Sequence, residues 1–434
     1  MDVVLRAERA LVGGRIRSAA VGVVDGAIAA VGPLDADLAA CEEVLVPPSA
    51  VLLPGFVDTH VHVNAPGTDW EGFTSATAAA AAGGITTLVD MPLDSDPVTT
   101  TVDALEVKKA AARGNCSVAV EFWAGVVPAN VDDLDGMAAA GVRGFKCFLT
   151  DSGNPNFPHL SSAEFHRAAA HVARLDAVLL VHAEHHDDIT GSPRPSGRGY
   201  SSFLESRPDA AEEHAVALVL DTARQTGARV HVVHVSSARV LPLIDAAKRA
   251  AVAVTAETCP HYLTFAAKTI PDGGTEYAVC PPIRGEENRR LLWDGLRRGT
   301  LDMVVSDHSP CAPEMKAGGD FGSAFGGISS LQLGPAAAWT QARPLGFGLP
   351  ELSRWMAERP AALAGFTDRG RIEVGTRADL CTFDPDVEHT VHGDALAHRH
   401  GITPYEGIAL RGQVLQTWVK GHRVFDGERM RQPA

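Results

Sequence analysis

At 434 residues the chain has room for one large domain and a smaller one, and 45% hydrophobic with 21% charged residues excludes a disordered protein. Its 53 acidic against 38 basic residues give a formal charge of -15, with no window of clustered Lys or Arg, which argues against nucleic acid or an anionic membrane as partner. The opening stretch interrupts every apolar run with Arg, Glu or Asp, so neither a signal peptide nor a spanning helix is expected, and the expected location is cytoplasmic. Seven scattered cysteines, an odd number, fit reduced thiols without structural disulfides.

Residues 1–54 read as short strands, VVLRAERALV, IRSAAVGVVDG and AIAAVG, broken by GG and DG turn signals. From residue 55 to about 368 the pattern changes to alternating strand and helix. The apolar runs LLPGFVDTHVH, ITTLVDM, VAVEFWAGVV, VRGFKCFL, AVLLVHAE, RVHVVHVSS, VAVTAETC and DMVVSDHSP make eight buried-type strands, separated by helix-period stretches such as TVDALEVKKAAARG and SAEFHRAAAHVARL. Eight such units predict an α/β fold of the TIM-type (β/α)8 barrel class, with an open doubly wound sheet as its rival. Residues 369–434 return to strand character in RGRIEVGTRADLCTFDP and LRGQVLQTWVKGHRVFDG, so both termini are expected to build one small β-rich domain beside the barrel.

The chemically loaded residues fall at the ends of the predicted barrel strands. His60 and His62 close the first, Lys146 the fourth, His182 the fifth, His234 the sixth and Asp307 the eighth. Alternate strand residues share a face, so His60 and His62 aim two imidazoles into one space. One metal takes about four ligands, and six candidates therefore point to two divalent ions. Singly, each residue has a plainer reading: a hydrogen-bonded core histidine, a turn-capping aspartate, or a lysine reaching solvent. Lys146 sits between apolar neighbours in GFKCF, and a lysine in the interior needs something to neutralise it. Metal coordination brings the pKa of water toward ~7, and Asp307 is the carboxylate expected to take its proton and pass it to a leaving nitrogen.

Other groups read more weakly. His185, His186 and Asp187 suit a solvated loop, His308 should point away from Asp307, and Cys147 and Cys259 suit inert buried thiols. Gly-rich AFGGISSLQLGP suits a tight loop near substrate, and backbone groups there or around Cys280 in CPPIR are candidates for binding amides.

Together PGFVDTHVH, GFKCF, the two single-histidine strands, ETCPHYL, CPPIR and VSDHSP resemble the amidohydrolase superfamily, specifically its cyclic-amidase branch of allantoinases, hydantoinases and dihydroorotases. The resemblance implies that His60, His62, Lys146 as an N6-carboxylated carbamate, His182, His234 and Asp307 ligate two divalent ions, usually zinc, and that the protein is a homo-oligomer, tetramer or dimer. Within the branch HVNAPGTDWEGF, FPHLS, FGGISSLQ and ITPYEGIALRG are similar to the allantoinases, which implies ring opening of allantoin to allantoate. Asn64 stands where dihydroorotases carry an arginine for a carboxylate, which suits an uncharged ring and makes it a candidate substrate contact. Asp94 in MPLDS departs from the usual MPLNS and changes charge and donor capacity there. A hydantoinase or dihydropyrimidinase acting on another ureide ring, and a non-enzymatic scaffold of the same fold, are the competing readings.

Overall fold

The computed structural model describes residues 1–427 and Met430. Five strands come first: β1 (Val3–Val12), β2 (Arg15–Val24), β3 (Ala27–Gly32), β4 (Glu42–Leu45) and β5 (Val51–Pro54). Asp25 and Gly26, at φ 50° and 75°, link β2 to β3 in the left-handed conformation that two-residue hairpin turns require. Three strands from the other end of the chain, β15 (Leu380–Thr390), β16 (Ala409–Val419) and β17 (His422–Phe425), complete one eight-stranded sheet in the order β17-β16-β15-β5-β1-β2-β3, with β4 beside β1. The junction is antiparallel β5 against β15, Leu52 opposite Thr382. RIEVG, expected to have strand character, forms a turn instead, in which Gly375 donates to Ile28 O at 2.8 Å and Thr376 Oγ1 to Glu373 O at 2.8 Å.

Between these halves run β6 (Phe56–Val61), β7 (Ile85–Asp90), β8 (Ala119–Phe122), β9 (Ala124–Gly125), β10 (Phe145–Phe148), β11 (Val178–His182), β12 (Arg229–Val232), β13 (Val254–Thr258) and β14 (Met303–Val304). All their pairings are parallel, and β8 and β9 occupy one strand position interrupted at Trp123, which makes eight positions. Val61 bridges His308 in parallel and His62 N donates to His308 O at 2.8 Å, so the first strand closes on the eighth and the rival open sheet is ruled out. Val57, Val89, Trp123, Leu180, Val233 and Met303 meet in one buried cluster, each worth ~1.5–3 kcal/mol of apolar burial. The Trp123 indole donates to Thr59 O at 2.8 Å, which satisfies its only polar atom across the barrel.

Helices cover the outside where the 3.6-residue period predicts them. Helix Ser162–Arg174 starts at a capping box in which Ser161 and Glu164 satisfy each other's backbone N–H groups, and helix Asp209–Thr226 stops at Gly227 with φ 73°. No helix among the described residues is long and apolar enough to cross a membrane. The cysteines are unpaired.

Candidate active site

Parallel strands deliver their C-terminal ends to one face, and a cavity of about 760 Å³ opens there. His60, His62, Lys146, His182, His234 and Asp307 all line it, together with Cys280 and Asp94. The ring centres of His60 and His62 are 5.6 Å apart, those of His60 and His234 5.3 Å, and those of His182 and His234 4.6 Å. Asp307 Oδ1 lies 3.2 Å from His60 Nε2 and 3.6 Å from His62 Nε2, and Ser309 Oγ donates to the same oxygen at 3.1 Å. His234 and Asp307 have φ of 37° and 46°, a conformation that costs non-glycine residues energy and here accompanies side chains lining the cavity.

Carboxylates behind the histidines orient them. Glu257 on β13 accepts from His60 Nδ1 at 2.5 Å, from His231 Nε2 at 2.9 Å and from the His234 backbone at 3.2 Å. With Nδ1 spent on Glu257, His60 presents Nε2 to the cavity. Burial opposes the charge of Glu257, yet His60 and His231 hold its carboxyl below the usual range. His182 Nε2 meets Glu184 at 2.7 Å, and Glu184 also accepts from Arg207, so Nδ1 is the free nitrogen of that ring. Asp58 accepts from His60 N at 3.1 Å and Ser306 N at 3.0 Å, which ties the first strand to the eighth just below Asp307. Sequence reading did not single out Glu257, Glu184, Arg207 or Asp58. The available signal was a charged residue inside an apolar strand, as Glu257 is in VAVTAETC.

Burial pushes His62 and His234 well below the usual imidazole range and His182 down to about 4, so all three are neutral and keep lone pairs at pH 7. His62 and His234 each retain a buried ring nitrogen with no hydrogen-bond partner. Lys146 on β10 is 1% exposed, with its ammonium 4.9 Å from the Phe148 ring centre. Burial lowers it to about 8 against the pull of Glu257 and Asp307. Ligand atoms of His60, His62 and Asp307 lie within 4.8 Å of one another, as do those of Cys259, His261 and Asp307. The first set is the better metal site, because all three of its residues line the cavity whereas Cys259 and His261 do not.

The remaining candidates divide. Cys280 lines the cavity, and Gly326 approaches it so closely that an added Cβ would stand 2.8 Å from its sulfur, consistent with a tight loop there. Asn64 is not among the lining residues: at φ 58° it is buried and donates to Pro310 O at 2.9 Å. Asp94, also at positive φ, does face the cavity, 3.8 Å from His62 Nδ1 and 3.4 Å from Asn154 Nδ2. His308 accepts from Ser330 N and Leu331 N at 3.1 and 3.3 Å and so must donate through Nε2 to Glu71 at 3.1 Å, away from the cavity. Cys147 lies buried beside Lys146 with its thiol pushed up to about 12, as an inert thiol should.

Comparison with known proteins agrees with this geometry. Residues 51–424 match the model of the amidohydrolase family. An allantoinase of Streptomyces avermitilis is 48% identical over 99% of this chain and 96% of its own length, and one of Saccharomyces cerevisiae is 43% identical over 86% and 82%. Among solved structures, the L-hydantoinase of Arthrobacter aurescens superposes with a TM-score of 0.94 at 29% identity, covering 99% of this chain and 97% of that one. With its barrel, its strand-end histidines and these relatives taken together, the chain belongs to the amidohydrolase family.

Proposed function

We propose that the protein is an allantoin-opening hydrolase: it breaks a carbon–nitrogen bond of the cyclic amide to give allantoate, with two divalent ions held by His60, His62, Lys146, His182, His234 and Asp307. Similarity along the whole chain carries the choice of ring, 48% to an allantoinase against 29% to a hydantoinase. The donor set suits divalent ions, since His62 and His234 keep unpartnered buried nitrogens and the Lys146 amine is buried. Zinc is the expected metal, although imidazole and carboxylate also accept manganese, cobalt or iron. When bound, the ions supply the Lewis acidity that makes water nucleophilic at neutral pH and polarises an amide carbonyl.

The side chains do the rest. With its ammonium lowered to about 8, Lys146 is uncharged in a useful fraction of molecules near neutral pH. Its free amine adds to carbon dioxide: the new nitrogen–carbon bond forms, one N–H proton leaves to solvent, and the resulting carbamate offers two oxygens toward the neutral histidines. Asp307 takes the proton of the attacking water and returns it to the ring nitrogen as that bond breaks. Glu257 and Glu184 hold His60 and His182 in the tautomers that leave Nε2 and Nδ1 free. Trp70 and Phe325, 5.2 Å apart and edge to face, line the cavity with Phe321 and limit its water. Cys280 stands on the wall as a substrate contact.

Turnover of allantoin, hydantoin, dihydrouracil and dihydroorotate by metal-replete protein tests the ring assignment. Allantoin should be the preferred substrate; allantoin inert while hydantoin opens would sink this reading. The same proposal carries a cytoplasmic homo-oligomer, dimer or tetramer, which light scattering on the purified protein checks.

A further inference from the structure

Outside the cavity a second group of ligating side chains converges on the surface. His185, Asp188 and His214 bring one ligand atom each within 4.8 Å of the others. His214 Nδ1 meets Asp188 Oδ2 at 2.7 Å, and His185 Nδ1 lies 3.1 Å from that same oxygen. The second approach is not a hydrogen bond: His185 Nδ1 is buried and without a hydrogen-bond partner. Two imidazole nitrogens and a carboxylate oxygen thus face one point, with one ring nitrogen left without a partner.

The fold positions them independently of any ion. His185 and Asp188 are three apart at the start of helix His186–Gly191 and share its face, while His214 projects from helix Asp209–Thr226. His185 N donates to Ala211 O at 2.9 Å, which registers the two helices, and Ala211 is one helical step before His214. Asp187 adds a further negative charge in the same first turn.

We propose that His185, Asp188 and His214 form a peripheral divalent-metal site that takes zinc, with water completing a tetrahedron. Zinc bonds of ~2.0–2.2 Å space tetrahedral ligands roughly 3.4 Å apart, so small side-chain rotations suffice. Zinc is the chemical match, because two imidazoles and one carboxylate are its borderline nitrogen and oxygen donors, whereas magnesium and calcium require mostly oxygen. The site is coupled to the cavity through helix His186–Gly191, whose His186, Ile189 and Thr190 line the cavity wall while its other face carries Asp188. Filling the site pins that wall, so zinc above the catalytic requirement shifts KM. The inference stands apart from the hydrolytic reading, because its primary readout is bound zinc.

Equilibrium dialysis of full-length protein against zinc chloride, compared with His214→Ala and Asp188→Asn, decides it. The His214 side chain is 62% exposed and outside the cavity, so the variant should fold as the parent does, which circular dichroism verifies. At saturation both variants should hold one zinc per chain fewer than the parent, and the zinc-dependent shift in KM should disappear. Equal zinc in parent and variants overturns the site; a KM shift that survives in His214→Ala overturns the coupling.

Discussion

Two lysines are buried to the same extent at the strand ends of this barrel, and their surroundings differ. Lys108, on helix Val102–Ala112, donates to Asp90 at 2.7 Å and to Met91 O at 2.8 Å, so its charge is matched and its geometry satisfied. Lys146 faces an aromatic ring and imidazoles, and burial drives it down to about 8 against the pull of Glu257 and Asp307, neither of which it hydrogen-bonds. A charge that the fold pairs is architecture; a charge left for something else to neutralise marks chemistry. The comparison predicts opposite phenotypes for the two residues.

The largest expected effect is on Lys146. Lys146→Ala should lower kcat/KM for the cyclic amide by roughly 10³-fold or more, about 4 kcal/mol of transition-state stabilisation, while Tm stays near that of the parent. A short carboxylic acid supplied in solution should restore part of the rate. Unchanged turnover would erase the distinction between the two lysines. Asp307→Asn comes next, with metal largely retained and turnover reduced by ~10²–10⁴, the usual contribution of a general acid/base; a rate within tenfold of the parent would remove the proton from that carboxylate.

Lys108→Met should do the reverse of Lys146→Ala. It leaves the Asp90 carboxylate buried without its cation, held by backbone N–H groups such as that of Val63, 2.8 Å away, and should cost about 3–5 kcal/mol of folding stability by urea titration. A stable Lys108→Met protein would mean that the pair is dispensable and the contrast empty. The smallest effect belongs to the groups behind the site: Glu257→Gln frees His60 and His231 to rotate and should weaken metal affinity by ~10–100-fold, read by chelator competition.

Much of this was legible in the amino-acid order because barrel strands are apolar on both faces and advertise any ligand at their tips. His60, His62, Lys146, His182, His234 and Asp307 stood out for that reason, and the cavity brings all six together. Their supports did not stand out. Glu257 is 197 residues from His60, and no periodicity links two strands across a closed barrel. Asn64 stood out only because it occupies the place where dihydroorotases carry an arginine, and nothing in the order of residues announces that φ of 58° just past β6 sends its amide to Pro310 O. His185 read as part of a solvated loop because one of its partners, His214, belongs to another helix. The break at Trp123 and the turn at RIEVG were hidden likewise, since hydrogen bonds to distant segments decide both.

One measurement reaches the centre of the account. Metal-replete protein equilibrated with ¹³C-bicarbonate should give a single carbamate carbon resonance that vanishes in Lys146→Ala and persists in Lys108→Met. Absence of that resonance in the active parent enzyme, or its survival without Lys146, would contradict the assignment of the unpaired lysine to the metal centre.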